Sequence, residues 1–268
     1  MEDIRNKKAF QSKKTNLFII LSGLFLTNAV LAELIGVKIF SAEKTLGFEP
    51  AGWTFFGEYI LDFNLTAGAV IWPIVFITTD IINEYYGKKG VRKISFLTAV
   101  FIAYTFLVIM AVTRLAPAPF WLEVNSPDPE GNAFNIDYAF NVIFRQGLGI
   151  IIGSLTAFLI GQLVDVYVFQ KLRRWTGGKM IWLRATGSTL VSQFIDSFVV
   201  LGIAFYIFGN WSWAQVVSVG IINYIYKFGV AILLTPLIYL GRELIDNYLG
   251  KEFAEKMTTE ASRDTSFL

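Results

Sequence analysis

The stretch RATGSTLVSQFIDSFVVLGIAFY, residues 184–206, is apolar over a membrane-spanning length and carries Gln193 and Asp196 in its middle. A carboxylate near the centre of a bilayer is costly unless it faces a bundle interior, a partner or a water-filled cavity. Asp196 is therefore a candidate site residue, and we interpret the rest of the chain around the helix that carries it.

A second polar pair lies earlier in the chain, where Gln162 and Asp165 repeat the spacing of Gln193 and Asp196. Positions three apart lie on the same side of a helix, so each segment presents an amide and an acid together. If the two helices are neighbours, these side chains face one shared candidate site.

The composition is that of a polytopic membrane protein. Hydrophobic residues make up 54% of the 268 residues and charged residues 16%, whereas about a quarter of an ordinary soluble domain is charged. The mean hydropathy is +0.54. The chain has no cysteine and no histidine, which excludes disulfides, thiol chemistry and imidazole catalysis and leaves any proton handling to carboxylates.

The apolar runs predict an all-α integral membrane protein with six transmembrane helices, because runs of about twenty residues match a hydrocarbon core about 30 Å thick. The predicted helices cover 17–36, 65–82, 94–115, 142–169, 184–206 and 214–240. They form a transmembrane domain, 17–240, between a basic N-terminus, 1–16, and a charged tail, 241–268, whose polar end we expect to be disordered.

Two segments between the predicted helices have a different character. Residues 41–63 combine charges, a Pro50-Ala51-Gly52 turn signal and aromatic residues, which favours a short hairpin at the membrane–water interface. Residues 116–140 hold four of the seven prolines and no Lys or Arg. This composition predicts an extended, non-cytoplasmic loop.

The distribution of basic residues predicts that both termini are cytoplasmic. Most of the 23 Lys and Arg residues lie in the N-terminus, in the tail and in two connectors, around 88–93 and 171–184, whereas the outer loops hold only Lys44. Short cytoplasmic segments are enriched in Lys and Arg, so this asymmetry orients the chain.

Several polar residues fall inside the predicted helices. Asn28, Asp196 and Lys227 lie at similar depth near the bilayer midplane, which allows them to converge, and Asn223 lies on the same helix as Lys227. Asp80, Gln162, Asp165 and Gln193 lie toward the cytoplasmic half. The alternative to a binding role for Lys227 is a structural ion pair with Asp196 or Asp165. Both interpretations place these groups against protein rather than lipid.

Asn83 and Glu84 are candidates of another kind, since they follow the second predicted helix at its cytoplasmic end. Carboxylates and amides at a helix end are readily solvated. We therefore expect these two side chains to be hydrated unless the substrate binds them.

Small residues recur at every fourth position of the fourth predicted helix, at Gly149, Gly153, Ala157 and Gly161, and the series ends on Asp165. Such ridges permit close helix packing in lipid. Packing is the leading explanation, with direct ligand contact as the alternative. The length of the ridge also suggests a homodimer, although the ridge would equally serve packing within one chain.

The motif Asp80-Ile-Ile-Asn83-Glu84-Tyr-Tyr-Gly87, the Gln162-x-x-Asp165 and Ser192-Gln193-x-x-Asp196 pairs and the Asn223-Tyr-Ile-Tyr-Lys227 stretch are similar to those of a known family. Over about residues 20–240 the chain resembles the queuosine-precursor transporters. The resemblance implies a six-helix importer in the inner membrane for 7-deazaguanine bases, such as 7-cyano-7-deazaguanine and 7-aminomethyl-7-deazaguanine, which are salvaged into tRNA queuosine. It also implies similarity to the substrate-binding components of energy-coupling-factor importers.

The residues and the resemblance lead to one site hypothesis. A 7-deazaguanine presents a carbonyl, a ring N–H and an exocyclic amine along one edge, and acid–amide pairs suit that edge. The alternatives are an intramembrane enzyme and a substrate-binding subunit for another small heterocyclic vitamin that needs an ATPase partner. No Ser-Lys, paired-aspartate or metal motif favours an enzyme. We predict no cofactor, no metal ion and no nucleic-acid partner.

Overall fold

Long helices dominate the computed structural model, which describes residues 2–55, 59–145, 148–177 and 179–263. The long helices are α1 (Glu2–Ile35), α3 (Trp72–Val112), α6 (Leu148–Trp175), α7 (Ile181–Leu201) and α8 (Trp213–Leu249), and α9 (Lys251–Arg263) follows α8. Shorter helices are α2 (Ala42–Thr45), α4 (Pro119–Val124) and α5 (Ile136–Phe144).

The helices have the length and composition of membrane spans. Within the described residues, five helical stretches are long and apolar enough to cross a bilayer: Phe10–Ile35, Trp72–Val112, Ile136–Trp175, Ile181–Ile207 and Trp213–Leu249. Large apolar side chains such as Ile19, Phe96 and Leu233 point outward and are exposed, as expected for a surface that faces lipid. The protein is therefore an all-α membrane protein.

Helix α3 contains most of the predicted helices 65–82 and 94–115, although residues 64–66 form strand β4, and it is sharply bent between the two. It has 41 residues and is interrupted at Gly87, whose φ of 65° and ψ of −166° are not helical. A Cβ on Gly90 would lie 3.4 Å from Cγ2 of Ile82, although eight residues of straight helix span about 12 Å. The basic segment 88–93, predicted as a connector, is helical and begins the second half of α3.

Helices α6 and α7 pack along the predicted ridge of small residues. A Cβ on Gly153 would lie 3.2 Å from the backbone nitrogen of Ala204, and one on Gly161 would lie 3.7 Å from Cβ of Asp196. Ala204 belongs to the π-helical turn Gly202–Ile207 that continues α7. The ridge therefore packs within the chain, and the homodimer stays a prediction.

The segment between α1 and α3 contains four short strands. Strand β2 (Trp53–Phe55) pairs antiparallel with β3 (Tyr59–Leu61), and β1 (Ile39–Ser41) pairs antiparallel with β4 (Asn64–Thr66). The predicted hairpin is thus confirmed. Residues 116–140 differ from the extended loop that we predicted, because α4 and the first part of α5 lie there.

The beginning of α1, the bend of α3 and the end of α8 meet at α9. The hydroxyl of Tyr86 donates to the carbonyl oxygen of Lys14 at 2.7 Å, and Lys14 lies 3.6 Å from Glu260 of α9. We call this region the α9 end of the bundle.

The α9 end extends further than the sequence predicted. Helix α8 continues nine residues past Leu240, to Leu249, and α9 is amphipathic, with Ala254, Met257 and Ala261 buried. These apolar side chains explain why the charged segment docks on the bundle. Residues 264–268, at the end of the tail that we expected to be disordered, lie outside the described residues.

Candidate functional site

Polar side chains line the interior of the bundle in three successive groups, which follow α7 from its middle toward the α9 end. The first group contains Asp196, the second surrounds Ser192, and the third contains Arg184. Each group joins α7 to other helices.

The first group is the ion pair between Asp196 and Lys227 of α8, whose Oδ2 and Nζ atoms lie 2.5 Å apart. Both side chains are partly buried, with 24% and 21% of their surfaces exposed. The absence of a side chain at Gly161 gives Asp196 room against α6. The predicted pairing of Lys227 with a carboxylate is therefore confirmed, and Asp196 is the partner rather than Asp165.

Glu33 lies near this pair and was not among the predicted site residues. Its Oε1 accepts a hydrogen bond from Oγ of Ser154 at 2.5 Å, and it lies within electrostatic range of Asp196. The sequence signal was present, since Glu33 lies inside the first predicted helix, 17–36.

The second group joins the two Gln-x-x-Asp segments to α3. Ser192 donates to Oδ1 of Asp165 at 3.3 Å, and Thr79 donates to Oε1 of Gln162 at 3.3 Å. Asp80 follows Thr79 and lies within electrostatic range of Asp165. The predicted neighbourhood of α6 and α7 is therefore confirmed, while the contributions of Thr79 and Ser192 were missed.

The second group contains acceptor oxygens without hydrogen-bond partners. Asp80 and Asp165 are 3% and 6% exposed, and Gln193 is 6% exposed. Among the described residues, Oδ1 of Asp80, Oδ2 of Asp165 and Oε1 of Gln193 have no partner. A buried acceptor left unpaired costs about 1–3 kcal/mol, so a ligand that brings N–H donors would recover that free energy here.

The third group surrounds Glu84, which is 3% exposed and not hydrated as we expected. Its carboxylate lies 3.1 Å from Arg184, 3.6 Å from Arg173 and 4.0 Å from Arg242. The helix does not end at Glu84, and the chain bends only at Gly87. The acid is therefore neutralised by Arg173 and Arg184, which the sequence assigned to the connector around 171–184, and by Arg242, which it assigned to the tail.

Asn83 is fully buried beside Glu84, which also corrects the prediction. Its Oδ1 accepts a hydrogen bond from Nε2 of Gln170 at 2.7 Å. Gln170 lies on α6 and was missed, because one glutamine near the end of an apolar run does not identify its partner. This contact is a structural link between α3 and α6.

The two remaining candidates do not join these groups. Asn28 donates to the carbonyl oxygen of Leu24 in its own helix at 2.8 Å, and it forms no hydrogen bond with Asp196 or Lys227 among the described residues. Asn223 is partly buried and has no hydrogen bond among the described residues. The convergence of Asn28 with the ion pair stays a prediction.

The chain is similar to known proteins. A family model described as a putative vitamin uptake transporter matches residues 66–241. The match includes all members of the three polar groups apart from Arg242, and it does not include Glu33. No solved structure matches the chain.

Three curated relatives have similar sequences. A probable queuosine precursor transporter of Bacillus subtilis (strain 168) is 32% identical over 188 residues, which cover 69% of this chain and 76% of the relative. A probable queuosine precursor transporter of Haemophilus influenzae is 29% identical, with coverages of 64% and 66%. The queuosine precursor transporter of Escherichia coli (strain K12) is 28% identical, with coverages of 75% and 82%.

Proposed function

This chain belongs to the putative vitamin uptake transporter family, and from that premise we propose that it imports queuosine precursors across the cell inner membrane for salvage into tRNA queuosine. The substrates would be 7-deazaguanine bases such as 7-cyano-7-deazaguanine and 7-aminomethyl-7-deazaguanine. The names of all three relatives support this substrate class. The relatives are transporters, and the chain is a transporter rather than an enzyme.

The observation that carries the proposal is the set of unpaired acceptors on Asp80, Asp165 and Gln193. A guanine-like edge offers adjacent N–H donors, and one carboxylate accepts two of them. The base would lie between α3, α6 and α7, with its donors directed at Asp165. The Asp196–Lys227 pair would border the site toward the middle of α8.

A six-span topology with cytoplasmic termini accompanies this function. The bend at Gly87 would divide α3 into two crossings, which adds one to the five apolar stretches, and the α9 end would face the cytoplasm. The Lys and Arg distribution supports this orientation. An enclosed site near the middle of such a bundle is suited to alternating access from the two sides.

The test is binding of 7-cyano-7-deazaguanine to purified Asp165→Asn, measured by calorimetry on folded, monodisperse protein. An amide accepts only through its single oxygen, so we expect affinity to fall by about tenfold or more, since a hydrogen bond to a charged group is worth about 1.5–3 kcal/mol. Asp137→Asn is the matched control, because Asp137 lies on α5 outside the three groups. Equal affinity in the two variants would refute this site.

Uptake by the purified protein in liposomes tests the function itself. Accumulation of labelled 7-cyano-7-deazaguanine without any other protein would support a self-sufficient transporter. Binding without uptake would instead identify a substrate-binding subunit that needs an ATPase partner. Absence of both binding and uptake of the base would overturn the proposed substrate class.

A further inference from the structure

A polar cavity of about 310 Å³ opens at the α9 end, away from the unpaired acceptors of the candidate site. Helices α6, α8 and α9 form most of its wall. Its lining residues include Glu84, Arg173, Arg174, Arg242, Thr258 and Ser262. Three arginines thus face one glutamate, so the cavity carries excess positive charge.

Arg173 is held rigidly at the base of this cavity and is 5% exposed. Its Nη1 donates to the carbonyl oxygen of Glu84 at 3.0 Å, and its Nη2 donates to that of Thr258 at 2.5 Å. Its buried Nε has no hydrogen-bond partner among the described residues. These two hydrogen bonds fix the guanidinium, and with it a positive charge, in the wall of the cavity.

Arg174 supplies a second guanidinium from the rim. Its side chain is exposed and forms neither an ion pair nor a hydrogen bond with any other described residue. The hydroxyls of Thr258 and Ser262 donate to carbonyl oxygens of their own helix. Thr259 also lines the cavity, and the arginines supply its charged donors.

We propose that the cavity binds a phosphate group. Guanidinium groups match the geometry of phosphate oxygens and bind them through paired hydrogen bonds. A volume of about 310 Å³ exceeds what a single phosphate needs and leaves room for the molecule that carries it. The assignment does not depend on the transported substrate.

Two sources of phosphate fit this position, namely the inorganic ion and the headgroup of an anionic lipid. Trp175, beside Arg174, is 76% exposed, and tryptophan at this level is typical of the membrane–water interface. A headgroup would therefore reach the cavity from the bilayer, whereas the inorganic ion would enter from water.

The experiment uses the full chain in phosphatidylcholine nanodiscs at constant ionic strength, in a buffer without phosphate. One arm titrates sodium phosphate by calorimetry, with sodium chloride as the reference titrant. The other arm measures the rise in thermal unfolding temperature when phosphatidylglycerol replaces part of the phosphatidylcholine. Each arm compares wild type with Arg174→Gln and Lys171→Gln. Lys171 is an exposed basic residue of α6 that does not line the cavity, so its variant is the matched control.

Saturable phosphate binding that weakens about tenfold or more in Arg174→Gln and is retained in Lys171→Gln would assign the site to the inorganic ion. A phosphatidylglycerol-dependent rise that Arg174→Gln loses and Lys171→Gln keeps would assign it to a lipid headgroup. No response in either arm, or equal losses in both variants, would overturn the proposal, because equal losses indicate only general surface charge.

Discussion

At the scale of single residues, the ion pair with Asp196 stabilises the ammonium group of Lys227 inside the bundle. An ammonium at the centre of a membrane helix costs about 2.5–3.5 kcal/mol on insertion scales. Its Nζ lies 2.5 Å from Asp196, so each group offsets the burial of the other. The pair therefore stabilises the fold whether or not it also contacts substrate.

We expect Lys227→Met to lower the thermal unfolding temperature, because it leaves Asp196 without its partner. The double variant Lys227→Met with Asp196→Asn should recover much of the loss, since removing both members of a buried pair is often near neutral. Lys227→Met with Asp165→Asn is the matched control and should not recover it. Recovery in the control alone would contradict the pairing.

Glu84 and Asp196 show what sequence predicts about single residues and what it misses. Asp196 and Lys227 were matched correctly, because two opposite charges at one depth inside apolar runs have few other ways to avoid lipid. Glu84 was misjudged because its partner Arg184 is 100 positions away and lies at the edge of an apolar run. Hydropathy describes each segment alone and does not tell which distant charge neutralises a buried acid.

At the scale of the elements, the bend of α3 depends on the absence of a side chain at Gly87. A φ of 65° favours glycine, and a Cβ there would lie 2.9 Å from the carbonyl oxygen of Ala261 in α9. We expect Gly87→Ala to destabilise the protein by about 1–3 kcal/mol and to loosen α9. Thermal unfolding and limited proteolysis of the α8–α9 connection measure the two effects.

Gly229→Ala is the control for this substitution, since a Cβ at Gly229 in α8 would meet nothing within 4 Å. Replacing glycine by alanine in a helix interior is neutral or favourable by up to about 1 kcal/mol. Equal stability of the Gly87 and Gly229 variants would show that the bend tolerates an ordinary residue.

The hairpin between α1 and α3 is tied together by Glu43 of α2. Its carboxylate accepts hydrogen bonds from the backbone N–H of Phe63 at 2.6 Å and of Ala51 at 3.4 Å. Burial alone would raise the pKa of Glu43, but these bonds and one from Ser41 together lower it below the ordinary 4.5. Ionised Glu43 therefore stabilises the hairpin.

A lowered pKa contributes stability above the unfolded value and loses it as pH falls through the folded value. We expect amide hydrogen exchange at Phe63, corrected for its intrinsic rate, to stay slow at neutral pH and to accelerate as pH falls below about 4.5. Glu43→Gln should exchange rapidly already at pH 7. Glu49→Gln, at an exposed position without a hydrogen bond among the described residues, should remain protected. Slow exchange of the Phe63 amide in Glu43→Gln would show that Glu43 does not stabilise the hairpin.

At the scale of the whole molecule, apolar runs predicted most of the membrane helices but not how their ends assemble. The run at 184–206 corresponds to α7 and its π-helical turn, because lipid requires a long apolar segment whatever the tertiary contacts. Helix α9 escaped prediction because only a few apolar residues, such as Met257, dock it on the bundle. The composition of a charged segment does not reveal such a short apolar face.

Cysteine labelling tests the proposed topology, because the chain has no native cysteine and each introduced thiol reports on its own. Lys93→Cys lies just after the bend of α3, Glu130→Cys lies between α4 and α5, and Lys251→Cys begins α9. A membrane-impermeant maleimide should label Glu130→Cys in intact cells. It should label the other two only after the membrane is permeabilised.

Labelling at these three positions distinguishes a bent α3 that crosses the membrane twice from an α3 that crosses it once. An unbroken helix of 41 residues would measure about 60 Å, twice the hydrocarbon thickness, and with the N-terminus inside, one crossing would leave Glu130 in the cytoplasm. Two crossings place it outside and return Lys251 to the inside after α6, α7 and α8. Protection of Glu130→Cys in intact cells would therefore refute the six-span topology, provided that the variant retains uptake of the base.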